Sequence, residues 1–343
     1  MNRLAILNSV VLWCWASHLA FGLEPANPKV IPKARSILNY LESLPQQAEK
    51  RLLSGQFTSY GPTASLAECQ SIINQCGHWP AITGFDYADF STGTLETKTV
   101  NQYAKEYSRA GGLVTISTHL YNPANPKKGG LYDKGVDIET LITPGHENHR
   151  LWMEELDLLA EGLHELRDAD VPVLWRPFHE MNGDWFWWGK KNPEVFIRVW
   201  KHMFDYLTHT KHLNNLLWVY SPNHGSLTRD YYPGDQYVDL IGLDAYTDHI
   251  DPEHIRGYRE ITQISKPFGF TEYGPHGSVS PPGDYDYMKF IQGVQAHFPR
   301  ATFFQAWHGN WSLSKNHNGK QLLEHPWVVN REDLPRELVP VDR

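Results

Sequence analysis

Residues 173–189 read "VLWRPFHEMNGDWFWWG". With Val171 and Pro172 in front, the first half is an apolar run of strand length that ends abruptly in Arg176, His179 and Glu180. A continuous apolar run bounded by polar groups reads as a strand buried on both faces, as in a parallel sheet. The same form recurs along the chain. It appears at 52–57 ("LLSGQF"), 80–87 ("PAITGFDY"), 112–120 ("GLVTISTHL") and 171–178 ("VPVLWRPF"). It returns at 215–222 ("NLLWVYSP"), 238–246 ("VDLIGLDAY"), 266–274 ("KPFGFTEYG") and 301–307 ("ATFFQAW"). Amphipathic stretches lie between these runs. In residues 149–169, Leu151, Leu156, Leu159, Leu163 and Leu166 recur close to the helical period, and residues 193–210 behave in the same way. Eight strands alternating with helices predict a (β/α)8 barrel.

A second regularity concerns function. Polar groups able to do chemistry collect at the C-terminal end of nearly every expected strand: His119, His179 and Glu180, Asn223 and His224, Asp244 and Tyr246, Glu272 and Tyr273, Trp307 and His308. Barrel enzymes assemble their sites on that face. Glu180 and Glu272, from strands four and seven, are thereby expected to share one cleft. Paired carboxyls in a cleft are the equipment of glycosidic bond cleavage, one giving a proton to the leaving oxygen and the other attacking the sugar or activating water. A single Glu at a strand end is more often a solvated or ion-paired group. Two that face one cleft, each beside aromatics, favour the catalytic reading.

Composition narrows the classes. The chain has 343 residues, 13 Trp and 17 Tyr, and a net charge of −8. That charge argues against nucleic acid or an anionic membrane as partner, and the aromatic excess suits stacking on sugar rings. Residues 1–22 read as a secretory signal, with Arg3 as the basic start, an apolar run from Leu4 to Ala16 and cleavage after Gly22. Residues 23–343 are then one secreted catalytic domain, expected to be monomeric and free of the membrane after cleavage. In an oxidising compartment Cys69 and Cys76 are expected to form a disulfide, which requires the segment between them to bend.

Several motifs together resemble glycoside hydrolase family 26, whose members are mostly β-mannanases. "RPFHEMNGDWFWWG" is similar to its acid/base segment and "GFTEYG" to its nucleophile segment. "STHLYNP" and "GLDAY" resemble its strand-three and strand-six segments, and "SGQ" and "GFDY" also fit. The resemblance runs from about Leu53 to the "HPWVVNRE" segment. It implies Glu180 as acid/base and Glu272 as nucleophile. Arg176 and Tyr246 resemble groups that bond the nucleophile, with Asp244 beside Tyr246 as a further substrate-side group. His119, His179 and Trp307 resemble contacts to the reacting sugar, Trp307 as its floor, and Trp185 resembles a contact near the scissile bond. The implied activity is retaining hydrolysis of β-1,4-mannosidic bonds, by endo attack or by mannobiose release, with no cofactor and no metal. A licheninase or xylanase on the same frame, and a carbohydrate-binding pseudoenzyme, are the rival readings. One departure is Thr118, where relatives often carry a Trp before the histidine; it is expected to remove a stacking wall.

Other patterns carry less. "HENH" at 146–149 lacks the spacing of a zinc helix and reads as a loop before a helix. The sequence near Ser221 and Ser226 has no nucleophile elbow. Trp187 and Trp188 fit either a buried wall or a sugar platform, while Trp200 and Trp218 fit the core. Asn310-Trp311-Ser312 is a glycosylation sequon beside the expected cleft, expected to be unused.

Overall fold

The structure is a computed structural model that describes residues 23–125, 129–276 and 280–338. The expected signal segment, residues 1–22, lies outside the described residues. Eight strands form the inner layer: β1 Gly55–Tyr60, β2 Ile82–Asp86, β3 Leu113–Ser117, β4 Val173–Arg176, β5 Leu216–Tyr220, β6 Leu240–Tyr246, β7 Phe268–Gly274 and β8 Ala301–Ala306. Each pairs in parallel with the next, and β8 pairs with both β7 and β1, so the sheet closes on itself. Closure removes both edges that a parallel sheet would otherwise expose. β2 to β8 fall within the ranges read from sequence. β1 starts later, because Leu52–Leu53 forms its own short strand against Val328–Val329 and β8. Between them the backbone passes so close to β8 that a Cβ on Gly55 would lie 2.3 Å from the Phe304 carbonyl oxygen.

Helices cover the outside: α1 Pro32–Ser43, α2 Ala67–Cys76, α3 Lys98–Arg109, α4 Glu147–Asp168, α5 Pro193–Asp205, α6 Tyr258–Ile261, α7 Tyr287–His297 and α8 Gly319–Leu323. α4 buries Trp152, Leu156, Leu159, Leu163 and Leu166 along one stripe, as its periodicity requires. α5 starts with the Asn192 side chain accepting from Val195 N (3.2 Å) and Pro193 in its first turn, then ends in a π-helical turn over Tyr206–Thr210. His146 caps α4 by accepting from Asn148 N, so "HENH" is the start of the helix rather than a loop before it. Trp200 and Trp218 are fully buried. No described helix is long and apolar enough to cross a membrane.

The barrel is filled asymmetrically. At the N-terminal ends of the strands, α1 lays Ala34, Ile37, Leu38 and Leu41 against Leu53, Ile82, Leu113, Leu174, Leu217, Val219, Leu240 and Phe303. This aliphatic plug seals one mouth. Its segment is anchored by Asp239, buried, whose carboxylate accepts from Ala26 N and Trp218 N, both at 2.7 Å. The other mouth is left to polar groups: Asp86, Ser117, Arg176, Ser221, Asp244 and Glu272 are all buried there.

The expected disulfide is absent. Cys69 and Cys76 are both free and buried, and α2 runs unbroken through them. Seven residues of helix advance about 10 Å, whereas bridged cysteines keep their Cα atoms within roughly 7 Å. Both thiols serve as small apolar groups, Cys69 against Thr83 (3.6 Å) and Cys76 in the main core. Protein unfolded without reductant and then alkylated should therefore carry label on both cysteines. Peptide mass spectrometry checks this, and a cross-linked unlabelled peptide would overturn it.

Candidate active site

β4 ends at Arg176, and the chain then turns sharply. Phe178 and Glu180 both adopt left-handed backbone, with φ of 50° and 56°. Such conformations cost non-glycine residues on the order of 1–3 kcal/mol each and persist only where the surroundings hold them. Here Glu180 N donates to Ser221 O (2.7 Å), Gly183 N to Glu180 O (2.8 Å) and the Trp188 indole to His179 O (2.8 Å). The Trp187 indole donates to Leu120 O (2.8 Å). Trp187 and Trp188 are fully buried. They form the wall that holds this turn, which settles their role against a sugar platform.

The turn delivers the Glu180 carboxyl to the mouth of the barrel. Its Oε2 accepts from Trp185 Nε1 at 2.7 Å. Trp185 is 37% exposed, so the N–H edge of its indole bonds the carboxyl while part of the ring meets solvent. Gly183 makes this fit, because a Cβ there would lie 2.3 Å from the Trp185 ring. Burial pushes the Glu180 pKa well above the usual carboxylate range, and the charges of Asp244 and Glu272 push the same way; the Trp185 hydrogen bond and Arg176 oppose them.

Glu272 comes from β7, whose register sets it beside Asp244 of β6. Arg176 donates through Nη2 to Glu272 Oε1, and the Tyr246 hydroxyl donates to Oε2 at 2.6 Å. Arg176 Nη1 meets Asp244 Oδ2 at 2.9 Å. Asp244 also accepts from the Ser221 hydroxyl (2.8 Å) and has no exposed surface. Asp244 therefore serves as counter-ion to Arg176, and the expectation that it contacts substrate is corrected. One oxygen each of Glu180, Asp244 and Glu272 lies within 4.8 Å of the other two. Three carboxylates so close could hold a cation, but the Arg176 guanidinium already bonds two of them.

The remaining expected residues gather around this pair. Trp307 stacks on Phe57 (3.8 Å between centroids, 14° between planes), and its backbone N donates to Tyr273 O. His119 and His179 meet through their Nε2 atoms at 3.1 Å, and His179 Nε2 is 4.0 Å from Glu272 Oε1. Burial holds the His179 pKa well below its usual value, helped by the charge of Arg176. Thr118 is wholly buried, with its hydroxyl unpartnered. It offers no stacking surface of its own. Besides Trp185, Phe90 and Tyr132 are exposed among the described aromatics, and the sequence reading did not single them out. Phe90 packs on Tyr60 and His119. Tyr60, Phe186 and Asp86 were missed as well. Asp86 closes β2, where the strand-end rule reaches it, whereas Tyr60 closes a β1 that runs past the range read from sequence.

This chain matches the sequence profile of glycosyl hydrolase family 26 over residues 26–333. It is a family 26 glycoside hydrolase. The mannan endo-1,4-beta-mannosidase of Bacillus subtilis (strain 168) is 37% identical over 340 residues, covering 92% of this chain and 90% of that protein. The mannan endo-1,4-beta-mannosidase A and B of Caldalkalibacillus mannanilyticus is 34% identical over 93% of this chain and 64% of its own length. A solved structure of Bacillus subtilis mannanase superposes with a TM-score of 0.83 at 34% identity, over 90% of this chain and 95% of that one. The fold of this family 26 hydrolase is the (β/α)8 barrel of those structures.

The Trp185–Glu180 hydrogen bond generates a signed expectation. A proton donor is active below its pKa and is lost as pH rises through it. Trp185→Phe keeps a ring beside Glu180 but deletes the donor that favours the ionised form. The alkaline limb of kcat/KM should then move to higher pH, by about one unit if the bond is worth what charge-assisted bonds usually are. A limb that moves down, or stays, would show that this bond does not control Glu180.

Proposed function

We propose that the protein is a secreted retaining endo-β-1,4-mannanase acting on mannan, glucomannan or galactomannan. The observation that carries the mechanism is the pairing of two close carboxyls in opposite surroundings: Glu180 beside an indole with its pKa raised, and Glu272 held by Arg176 and Tyr246. Their approach to within 4.8 Å favours the retaining separation of roughly 5–5.5 Å over the ~6.5–9.5 Å that leaves room for an inverting water. The substrate class rests on the relatives named above. Secretion rests on the signal-like residues 1–22.

The geometry supports a two-step reaction. With a mannose ring over Trp307, Glu180 gives its proton to the glycosidic oxygen as Glu272 attacks the anomeric carbon, and the C–O bond to the leaving sugar breaks. Arg176 and Tyr246 hold the Glu272 carboxylate in line. Once Glu272 is esterified its charge is gone, and one of the groups raising the Glu180 pKa goes with it. Glu180 can then stay ionised and so act as the base. It takes a proton from water, whose oxygen attacks the same carbon and returns Glu272 as carboxylate.

Two variants separate the roles. Glu272→Ala should lose turnover of every substrate. Glu180→Ala should lose natural polymer by at least ~10²–10⁴-fold, yet still show a burst with an aryl mannobioside that has an acidic phenol. Azide should restore its turnover and give a β-azide product. Rescue of Glu272→Ala with an α-azide product, and none of Glu180→Ala, would reverse the two assignments. Product profiles on mannohexaose, cellohexaose and xylohexaose test the substrate, and cleavage of none of them would point to a binding protein.

A further inference from the structure

Asp86, at the end of β2, has no role in the reaction described above and never reaches the cleft, being fully buried. It nevertheless collects four donors. Oδ1 accepts from Ala88 N (2.8 Å) and His119 N (3.0 Å); Oδ2 accepts from the Ser117 hydroxyl (2.6 Å) and His119 Nδ1 (2.8 Å). Burial alone would raise the pKa of this carboxyl, but four donors converging on its two oxygens favour the ionised form. An ionised carboxylate has only acceptors to offer, so the proton between it and His119 sits on Nδ1.

That fixes the next contact. His119 Nε2 and His179 Nε2 are 3.1 Å apart, and one proton lies between them. If His119 carried it, His119 would be an imidazolium and neutral His179 would keep its proton on Nδ1. But His179 Nδ1 is buried with no partner. A buried N–H without an acceptor is costly, and the arrangement would also turn the His179 Nε2 lone pair toward the Glu272 carboxylate 4.0 Å away. If His179 carries it, both rings are neutral, His119 Nε2 accepts, and the N–H of His179 lies between His119 and Glu272. Neutral His179 agrees with its burial beside Arg176.

We propose that Asp86 is a positioning residue that sets the direction of a hydrogen-bond chain, Asp86 to His119 to His179, so that a donor and not a lone pair faces the nucleophile Glu272. His119 itself meets Tyr60 edge-on and Phe90 at a tilt. Asp86 acts only through the two rings. The kinetic half of this proposal rests on the retaining-hydrolase reading; the tautomers do not.

The test is two-bond 1H–15N NMR of the imidazoles, with Asp86→Asn as the variant and kcat/KM on an aryl glycoside alongside. In the wild-type protein near neutral pH, His119 should be the neutral Nδ1–H tautomer and His179 the Nε2–H tautomer. Asparagine can turn an N–H toward His119, so Asp86→Asn should reverse both rings. The kcat/KM for an aryl β-mannobioside should then fall about tenfold, the lower end of what a hydrogen bond to a charged group is worth, because the ring lies 4.0 Å from Glu272, with the loss in kcat more than in KM. A wild-type His119 that is an imidazolium or an Nε2–H tautomer overturns the proposal, and this reading needs neither substrate nor a folded variant. Reversed rings with unchanged kcat overturn the positioning role. A lowered melting temperature with unreversed rings reduces Asp86 to packing. If the wild type cleaves aryl cellobioside rather than mannobioside, the substrate assignment fails, and the same kinetic comparison on that substrate still decides the role of Asp86.

Discussion

The Arg176 guanidinium is the charge on which the mouth of the barrel depends. It is 1% exposed and sits among acids: Asp244 and Glu272 bond it directly, and Glu180 lies within 4.8 Å of both. Taking one charge out of water is expensive unless it is paired and its donors are used. Here one cation is bonded by two acids, so acids outnumber cations even though burial pushes the Asp244 pKa up to about 8 against the pull of Arg176. That imbalance has a chemical use. A third carboxyl cannot ionise cheaply beside it, and Glu180 retains a proton. The acid is thus made first by burial, and the charges of Asp244 and Glu272 add to it.

Two neighbouring supports follow from that. The site needs Glu272 ionised without being buried naked, and Tyr246 and Arg176 provide donors from two other strands. It also needs Glu180 presented from a turn that ordinary backbone would not make. The left-handed Phe178 and Glu180 are held by Trp188, Ser221 and the surrounding hydrogen bonds. The dense block of aromatics after Glu180 therefore has divided duties. Trp187 and Trp188 fix the turn from inside, Phe186 packs edge-on to both histidines, and only Trp185 reaches the solvent.

Much of this was legible in the sequence because the barrel writes each strand as an apolar run with its useful residue at the end. Glu180, Glu272, Arg176, Tyr246 and Trp307 all stand at such ends, and the closed sheet brings them together. What the runs do not encode is depth. Asp244 and Tyr246 are two residues apart on one strand, yet the first sinks beneath the cleft to serve Arg176 and the second reaches Glu272. Thr118 beside His119 presents the same difficulty: both lie just past β3, yet the first is wholly buried and the second reaches His179. Asp86 was quoted within "GFDY" but gave no sign of its use, because its partners come from β3. The cysteines misled for a different reason. Compartment argued for a bond, while the local pattern of Ala67–Cys76 was already that of a good helix, and helical geometry prevailed.

The aliphatic plug at the far mouth has a practical meaning. Leu23 and Leu338, the outer ends of the described chain, both pack at the cluster that α1 makes under the barrel. Substrate enters from the opposite face. A tether, a tag or an appended module joined at either of these ends leaves from the base of the molecule and stands clear of a polymer lying across the cleft. Anchored to a surface by that base, the enzyme would present its catalytic mouth outward without further orientation.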